Sequence, residues 1–169
     1  MTTDSIARKS KIFIDANIFI YHFLDTPLYG AACTELVQRV LDEDYLGVTS
    51  VHVVSEVVHR LSTIEACAMF SWPYKGIAKR MESHPENISR LEQYRSSLES
   101  LLDFGIEILA NESQHLLPAT DAMREYGLLY NDALSVALMK AAGISVIASF
   151  DTDFDRVAVI QRLEPMVST

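Results

Sequence analysis

Five acidic residues stand apart from the rest of the chain because of their company. Asp15 closes the run KIFID, Glu56 interrupts V-V-S-E-V-V, Asp132 opens NDALSVALMKAAG, and Asp151 and Asp153 follow ISVIAS. A carboxylate set among Val53, Val54, Val57 and Val58 needs a partner, because an unpaired charge removed from water is costly. If Asp15, Glu56, Asp132 and Asp151 converge to about 5 Å, each ionised pair repels by about 3 kcal/mol at an effective dielectric of about 20. Some must then stay protonated, or divalent cations must compensate them. An all-oxygen donor set with no Cys and no obligate His selects Mg²⁺ or Mn²⁺ over zinc. One or two such ions lower the pKa of a bound water and clamp a phosphodiester for in-line attack, which is the chemistry of a metal-dependent nuclease.

Each acid also has a plainer reading. Asp15 can serve as a turn residue after a strand, Asp132 as a helix-start carboxylate favoured by the helix dipole, Glu56 as a surface acid, and Asp151 and Asp153 as loop acids. Other chemistries fit less well. D-T-D-F-D at 151–155 has the first ligand spacings of an EF-hand loop, but Arg156 and Arg162 occupy the positions that need Gly and Glu. The same D-x-D is followed by too little chain for an aspartyl-phosphate transferase. The pairs Glu56–His59 and Glu112–His115 have di-iron spacing, but the strands at 11–15 and 144–149 have no place in a helix bundle.

The elements that must position these acids alternate. KIFID reads as a short strand, and its continuous rather than alternating hydrophobicity suits a parallel strand covered on both faces. Asn17 is placed to cap the helix NIFIYHFL, which Pro27 ends. Residues 28–44 have the i, i+4 apolar spacing of an amphipathic helix, YLGVTS is strand-like, and a helix starts at about residue 51. SWPYKG is a loop, Pro85 starts a helix that runs to Gly105, and IEILA is a third strand. Helix surrounds Pro118, another helix spans 131–143, ISVIAS is the clearest strand, and VAVI is a last apolar piece. Strands alternating with helices predict an α/β protein with a parallel sheet. In such sheets ligands bind beyond the carboxyl ends of the strands, close to Asp15, Asp132 and Asp151.

The 169 residues suit one domain, 1–169, with a helical elaboration at about 65–104. Hydrophobic residues make up 49% and charged residues 22%, which excludes a disordered chain. No apolar run is long enough to span a membrane, and MTTDSIARKSK is polar, so a cytoplasmic location is expected. Cys33 and Cys67 form no C-x-x-C pair and are expected to be small core residues. The net charge of −9 argues against a general nucleic-acid-binding surface. Residues 60–95 nonetheless carry six Lys and Arg against four Glu, a mildly basic strip best read as a solvated face. Phe70, Trp72 and Tyr74 can pack the elaboration onto the body or stack on unpaired bases, and packing is the favoured reading.

FIDANIFI, VVSEVV, NDALSVALM and ASFDTDFDRV, in this order from residue 12 to about 160, resemble the four acidic motifs of the PIN domain. PIN domains are the nuclease domains of VapC-type toxins and of ribosomal-RNA processing enzymes. The resemblance implies a three-layer α/β/α fold with a central, mostly parallel sheet. It implies Asp15, Glu56, Asp132 and Asp151 as metal-binding catalytic acids, and Asp153 as a further acid. Asn17 and Ser149 match polar positions that orient the site. It implies an endoribonuclease that uses Mg²⁺ or Mn²⁺ and leaves a 5′-phosphate and a 3′-hydroxyl. A homodimer and a small antitoxin partner are implied as well. Lys75, Lys79 and Arg80 are candidate RNA contacts. The elaboration at 65–104 departs from the minimal pattern. The alternatives are a non-catalytic PIN scaffold that binds RNA or a protein, and an rRNA-processing nuclease.

Overall fold

A computed structural model describes residues 6–167; the polar stretch 1–5 at the start lies outside the described residues. In chain order the elements are β1 (Lys11–Ile14), α1 (Ala16–Phe23), α2 (Gly30–Leu41), β2 (Leu46–Ser50) and α3 (Val51–Phe70). The elaboration contributes α4 (Ile77–Ser83), α5 (Pro85–Ile88) and α6 (Gln93–Asp103). Then come β3 (Glu107–Leu109), a 3₁₀ turn (Ser113–His115), α7 (Leu116–Tyr126), α8 (Tyr130–Ala141) and β4 (Val146–Ala148). A second 3₁₀ turn (Thr152–Arg156) and β5 (Gln161–Leu163) complete them.

The strands form one parallel sheet in the order β3-β2-β1-β4-β5. Chain order moves outward from β1 through β2 to β3, then returns to the other side of β1 for β4 and β5. By the right-handed rule for parallel crossovers, the helices of the outward run belong to one face of the sheet and those of the return to the other. β1 is thus the central strand, and Ile12, Phe13 and Ile14 are almost completely buried, as their unbroken hydrophobicity predicts. Val48, Ile147 and Leu163 join them from neighbouring strands. Gly47 of β2 is required by packing: a Cβ there would lie 2.8 Å from Val40 and 3.0 Å from Ile106.

The structure redraws several predicted boundaries. Asp15, not Asn17, caps α1, because its carboxylate accepts the Ala16 amide at 2.7 Å. The helix expected from Pro85 to Gly105 breaks into α5 and α6, and α4 forms inside the stretch that precedes it. The break is held by Glu65, whose Oε1 accepts the amides of Glu92 and Gln93 and whose Oε2 accepts that of Tyr94. Glu65 is therefore buried, unlike the solvated charges expected across 60–95. The last strand is Gln161–Leu163 rather than VAVI, since β5 pairs through its backbone and hides only Leu163 among its side chains.

Phe70 and Trp72 meet at a tilt, ring centroids 4.9 Å apart, and pack beside Ala66, Ile77 and Leu91, so these two rings join the elaboration to α3. Tyr74 stays exposed. Cys33 is fully buried, its thiol pushed up to about 12, while Cys67 is partly buried against the smaller core. Among the described residues no helix is long and apolar enough to cross a membrane.

Candidate active site

Strand order reverses at β1, so the crevice beyond the carboxyl ends of β1 and β4 is the topological switch point. Asp15 is the first residue after β1 and Ser149 the first after β4, and the Asp15 amide extends the ladder to the Ala148 carbonyl at 3.1 Å. The Asp15 carboxylate is clamped on both oxygens. Oδ1 accepts the Ala16 amide, while Oδ2 accepts Asn17 Nδ2 at 2.6 Å and the Ser149 hydroxyl at 2.6 Å. That hydroxyl in turn accepts Asn17 Nδ2 and the Asp151 amide, each at 2.9 Å. Asn17 Oδ1 accepts the Phe150 amide at 3.4 Å. One amide and one hydroxyl thus fix the first and last acidic motifs to each other.

Asp151 caps the second 3₁₀ turn, its Oδ1 accepting the Asp153 amide at 2.8 Å. Asp153 is occupied differently, with Oδ1 2.7 Å from Arg156 Nη2. The loop is fastened from β5 by Arg162. Its side chain is 11% exposed, pairs with Asp155 at 2.8 and 3.1 Å and with Glu164 at 2.8 Å, and donates to the Ser149 carbonyl at 3.2 Å. Those carboxylates hold the Arg162 pKa above its ordinary value, and the guanidinium holds Asp155 below its own.

Glu56 and Asp132 reach the crevice from α3 and from the first turn of α8. Both are half-buried, and neither carboxylate accepts a hydrogen bond from any described residue. The electrostatics tie the acids together. Burial, and then repulsion from Glu56 and Asp151, push Asp15 up to about 6 against the hydrogen bonds from Ser149 and Ala16 that oppose the shift. Burial pushes Asp132 up to about 6 as well, helped by repulsion from Asp15, Asp151, Glu56 and Asp153. The acids expected to converge therefore share one field. Among the described residues no group of three His, Cys, Asp or Glu side chains lies close enough together to hold a metal ion as it stands.

Lys75, Lys79 and Arg80 sit elsewhere. They lie on α4 and the turn before it, at the far end of α3, and α3 rises about 20 Å between Glu56 and Phe70. Arg80 also donates to the carbonyls of Pro73 and Lys75 in its own loop. The cation beside Glu56 is Arg60, one turn further along α3, which donates to the Tyr74 hydroxyl. His52, Asn111, Asn131 and Arg60 line a recess with Glu56; the sequence reading gave Arg60 only a place in the basic strip and Asn131 only a place at a helix start, and passed over the other two. His52 and Arg60, each four residues from Glu56, carried the helical-spacing signal that could have found them. Asn111 carried none, and Asn131 only its place beside Asp132. The second E-x-x-H pair is local: the Glu112 amide donates to His115 Nδ1 at 3.2 Å in a capping box. His59 is exposed at the same recess and also borders an apolar groove of about 600 Å³ between α3 and α6.

Fold and site together define a parallel α/β protein with an acidic crevice at the switch point of its sheet. The PIN domain model matches residues 12–160, and the chain belongs to that family. Ribonuclease VapC2 of Methanocaldococcus jannaschii is 29% identical over 161 residues, covering 92% of this chain and 95% of that protein. VapC20 of Mycobacterium tuberculosis, a toxin that cleaves the sarcin-ricin loop, superposes with a TM-score of 0.60 at 16% identity over 87% of this chain and 95% of its own. VapBC2 of Rickettsia felis, solved bound to a promoter DNA fragment, gives a TM-score of 0.59 at 14% identity, covering 91% and 98%. At such identities the two structures bear on the fold alone.

Proposed function

We propose that the protein is a VapC-type endoribonuclease, the toxin of a toxin–antitoxin pair, which hydrolyses RNA phosphodiesters with the help of Mg²⁺ or Mn²⁺. The observation that carries the reading is the pair Asp15 and Asp132. Burial and then repulsion among the acids raise both to about 6 in a crevice they share with Glu56 and Asp151, and neither Glu56 nor Asp132 accepts a hydrogen bond from any described residue. Neutralising such a pocket by side chains would take a Lys or Arg among the acids. Arg60 borders Glu56 but donates to the Tyr74 hydroxyl, while Arg156 is placed on Asp153 and Arg162 on Asp155 and Glu164.

The donor set is all oxygen, which suits a hard divalent cation. Asp15, Glu56, Asp132 and Asp151 would hold it, while Asp153, engaged by Arg156, serves the loop. The cation, when bound, supplies a more acidic water and offsets the charge of the phosphodiester. The chain's own part is placement. Asn17, Ser149 and the Ala16 amide keep the Asp15 carboxylate from turning, so its orientation is set before substrate arrives. Hydrolysis leaves a 5′-phosphate and a 3′-hydroxyl.

The resemblance to VapC proteins over nearly the whole chain supports a toxin rather than an rRNA-processing role, and with it a small antitoxin partner. The same reading includes a homodimer and a cytoplasmic location, where RNA is available. The test is cleavage of a structured RNA in Mn²⁺, repeated with chelator and with Asp132→Asn. Cleavage by the parent that is lost in both controls is the expected result; cleavage that survives chelator or the substitution defeats the metal reading. Light scattering of the purified protein reads the dimer directly.

A further inference from the structure

Beside the acidic crevice lies a recess of about 580 Å³ lined by His52, Glu56, Arg60, Asn111 and Asn131 among others, but by none of Asp15, Asp132 and Asp151. Its size lies within the range of about 300–1,000 Å³ typical of small-ligand sites. We infer that it is a nucleobase subsite, in which Asn111 and Asn131 read the edge of one unpaired RNA base next to the scissile phosphate. The inference rests on the ribonuclease reading above and adds to it the position where sequence preference is set.

Three elements build the recess, and His52 ties them together. Its Nδ1 lies 2.9 Å from the Ser50 hydroxyl and 3.3 Å from Asn111 Oδ1, and its Nε2 lies 3.0 Å from the Ser135 hydroxyl. The end of β2, the stretch after β3 and the second turn of α8 are thereby locked around one half-buried imidazole. With Asn111 Oδ1 turned to His52, the Asn111 NH₂ is a donor with no partner among the described residues. The Asn131 amide makes no side-chain hydrogen bond among those residues either, so it offers a donor and an acceptor side by side. That combination recognises base edges, which single-stranded RNA presents when its bases are splayed out.

The neighbours agree. Asn131 is adjacent to Asp132 in sequence, and Glu56 borders both recess and crevice, so a base held here leaves its phosphate toward the acids. Arg60 carries positive charge at the rim, suited to an adjoining phosphate. Both Asn side chains are exposed, so replacing them leaves the core untouched.

The test has two arms. In chelator, the four nucleoside 5′-monophosphates are titrated into ¹⁵N-labelled protein, and into Asn111→Ala and Asn131→Ala, with peak dispersion as the check on folding. One nucleotide should move the Asn111 and Asn131 side-chain amide signals, and each substitution should weaken its binding about tenfold. Equal shifts from all four nucleotides, or none, overturn the subsite. In Mn²⁺, the parent and the double variant cut a randomised RNA pool. The variant should lose base preference at one position beside the cut, whereas an unchanged preference overturns the inference. A parent that binds a nucleotide at these amides yet cuts no RNA leaves the subsite standing and removes the ribonuclease reading.

Discussion

Ser149 joins Asp15 to Asp151 through a single hydroxyl, donating to the carboxylate at 2.6 Å and accepting the Asp151 amide at 2.9 Å. The contact links residues 134 positions apart and sits where β1 and β4 end side by side. The acids at the two ends of the motif series are therefore positioned by one atom, Ser149 Oγ, in addition to the sheet.

Ser149→Ala removes that atom and leaves the Asp151 amide without its partner. Asp15 keeps its bonds to Asn17 and Ala16. A loss of about 1–3 kcal/mol in urea unfolding is expected, the cost of an orphaned polar group. RNA cleavage should fall while the fold is retained, because Ser149→Ala unties the Asp151 loop from the Asp15 carboxylate. Activity at the parental level would show that the bridge is dispensable.

Asp132→Asn is the cleaner test of the crevice. The Asp132 carboxylate accepts no hydrogen bond from the described residues, so the amide breaks no internal contact. Cleavage should drop to background, with the far-UV spectrum unchanged. Asp15→Asn should also be inactive, but it places an NH₂ against the Asn17 donor and will cost stability as well.

The pH dependence follows from the raised values of Asp15 and Asp132. Each has a folded pKa of about 6 against an ordinary 3.8. Between those values the folded chain holds more protons than the unfolded one, so stability falls as pH rises through that window and stays lower above it. Asp132→Asn should therefore be more stable than the parent at pH 7.5 in chelator, by about 1–2 kcal/mol after allowance for solvent screening. The gain should vanish by about pH 4. Urea titrations of both proteins across the window measure it, and a gain independent of pH would contradict the shared field.

Glu65 makes a prediction away from the crevice. Its carboxylate accepts three amides at the start of α6, so Glu65→Ala orphans all three. A loss of about 1–3 kcal/mol is expected. Hydrogen exchange should speed up at 92–94 and leave β1 and β4 protected, and cleavage should persist. Gln at this position should recover part of the loss.

The sequence alone marked the buried parallel strands and the acids that stand at their carboxyl ends. Ile12–Ile14 and the run before Ser149 are continuously apolar because a parallel strand is covered on both faces, and that pattern is local. The acids were legible for a related reason: Asp15 and Glu56 interrupt apolar runs, and a charge in such company is conspicuous. Only the tertiary structure decided what each polar group touches. Asn17 read as a cap and proved to be a clamp on Asp15, and Glu65 read as solvent-facing and proved to close a helix that begins 28 residues later. Asn111 carries no mark in the sequence and Asn131 reads there only as a helix start, because the recess they line forms only when the stretch after β3 and the start of α8 are brought beside α3. Periodicity reports burial along one element, whereas hydrogen-bond partners are chosen between elements, and that choice appears only when the chain has folded.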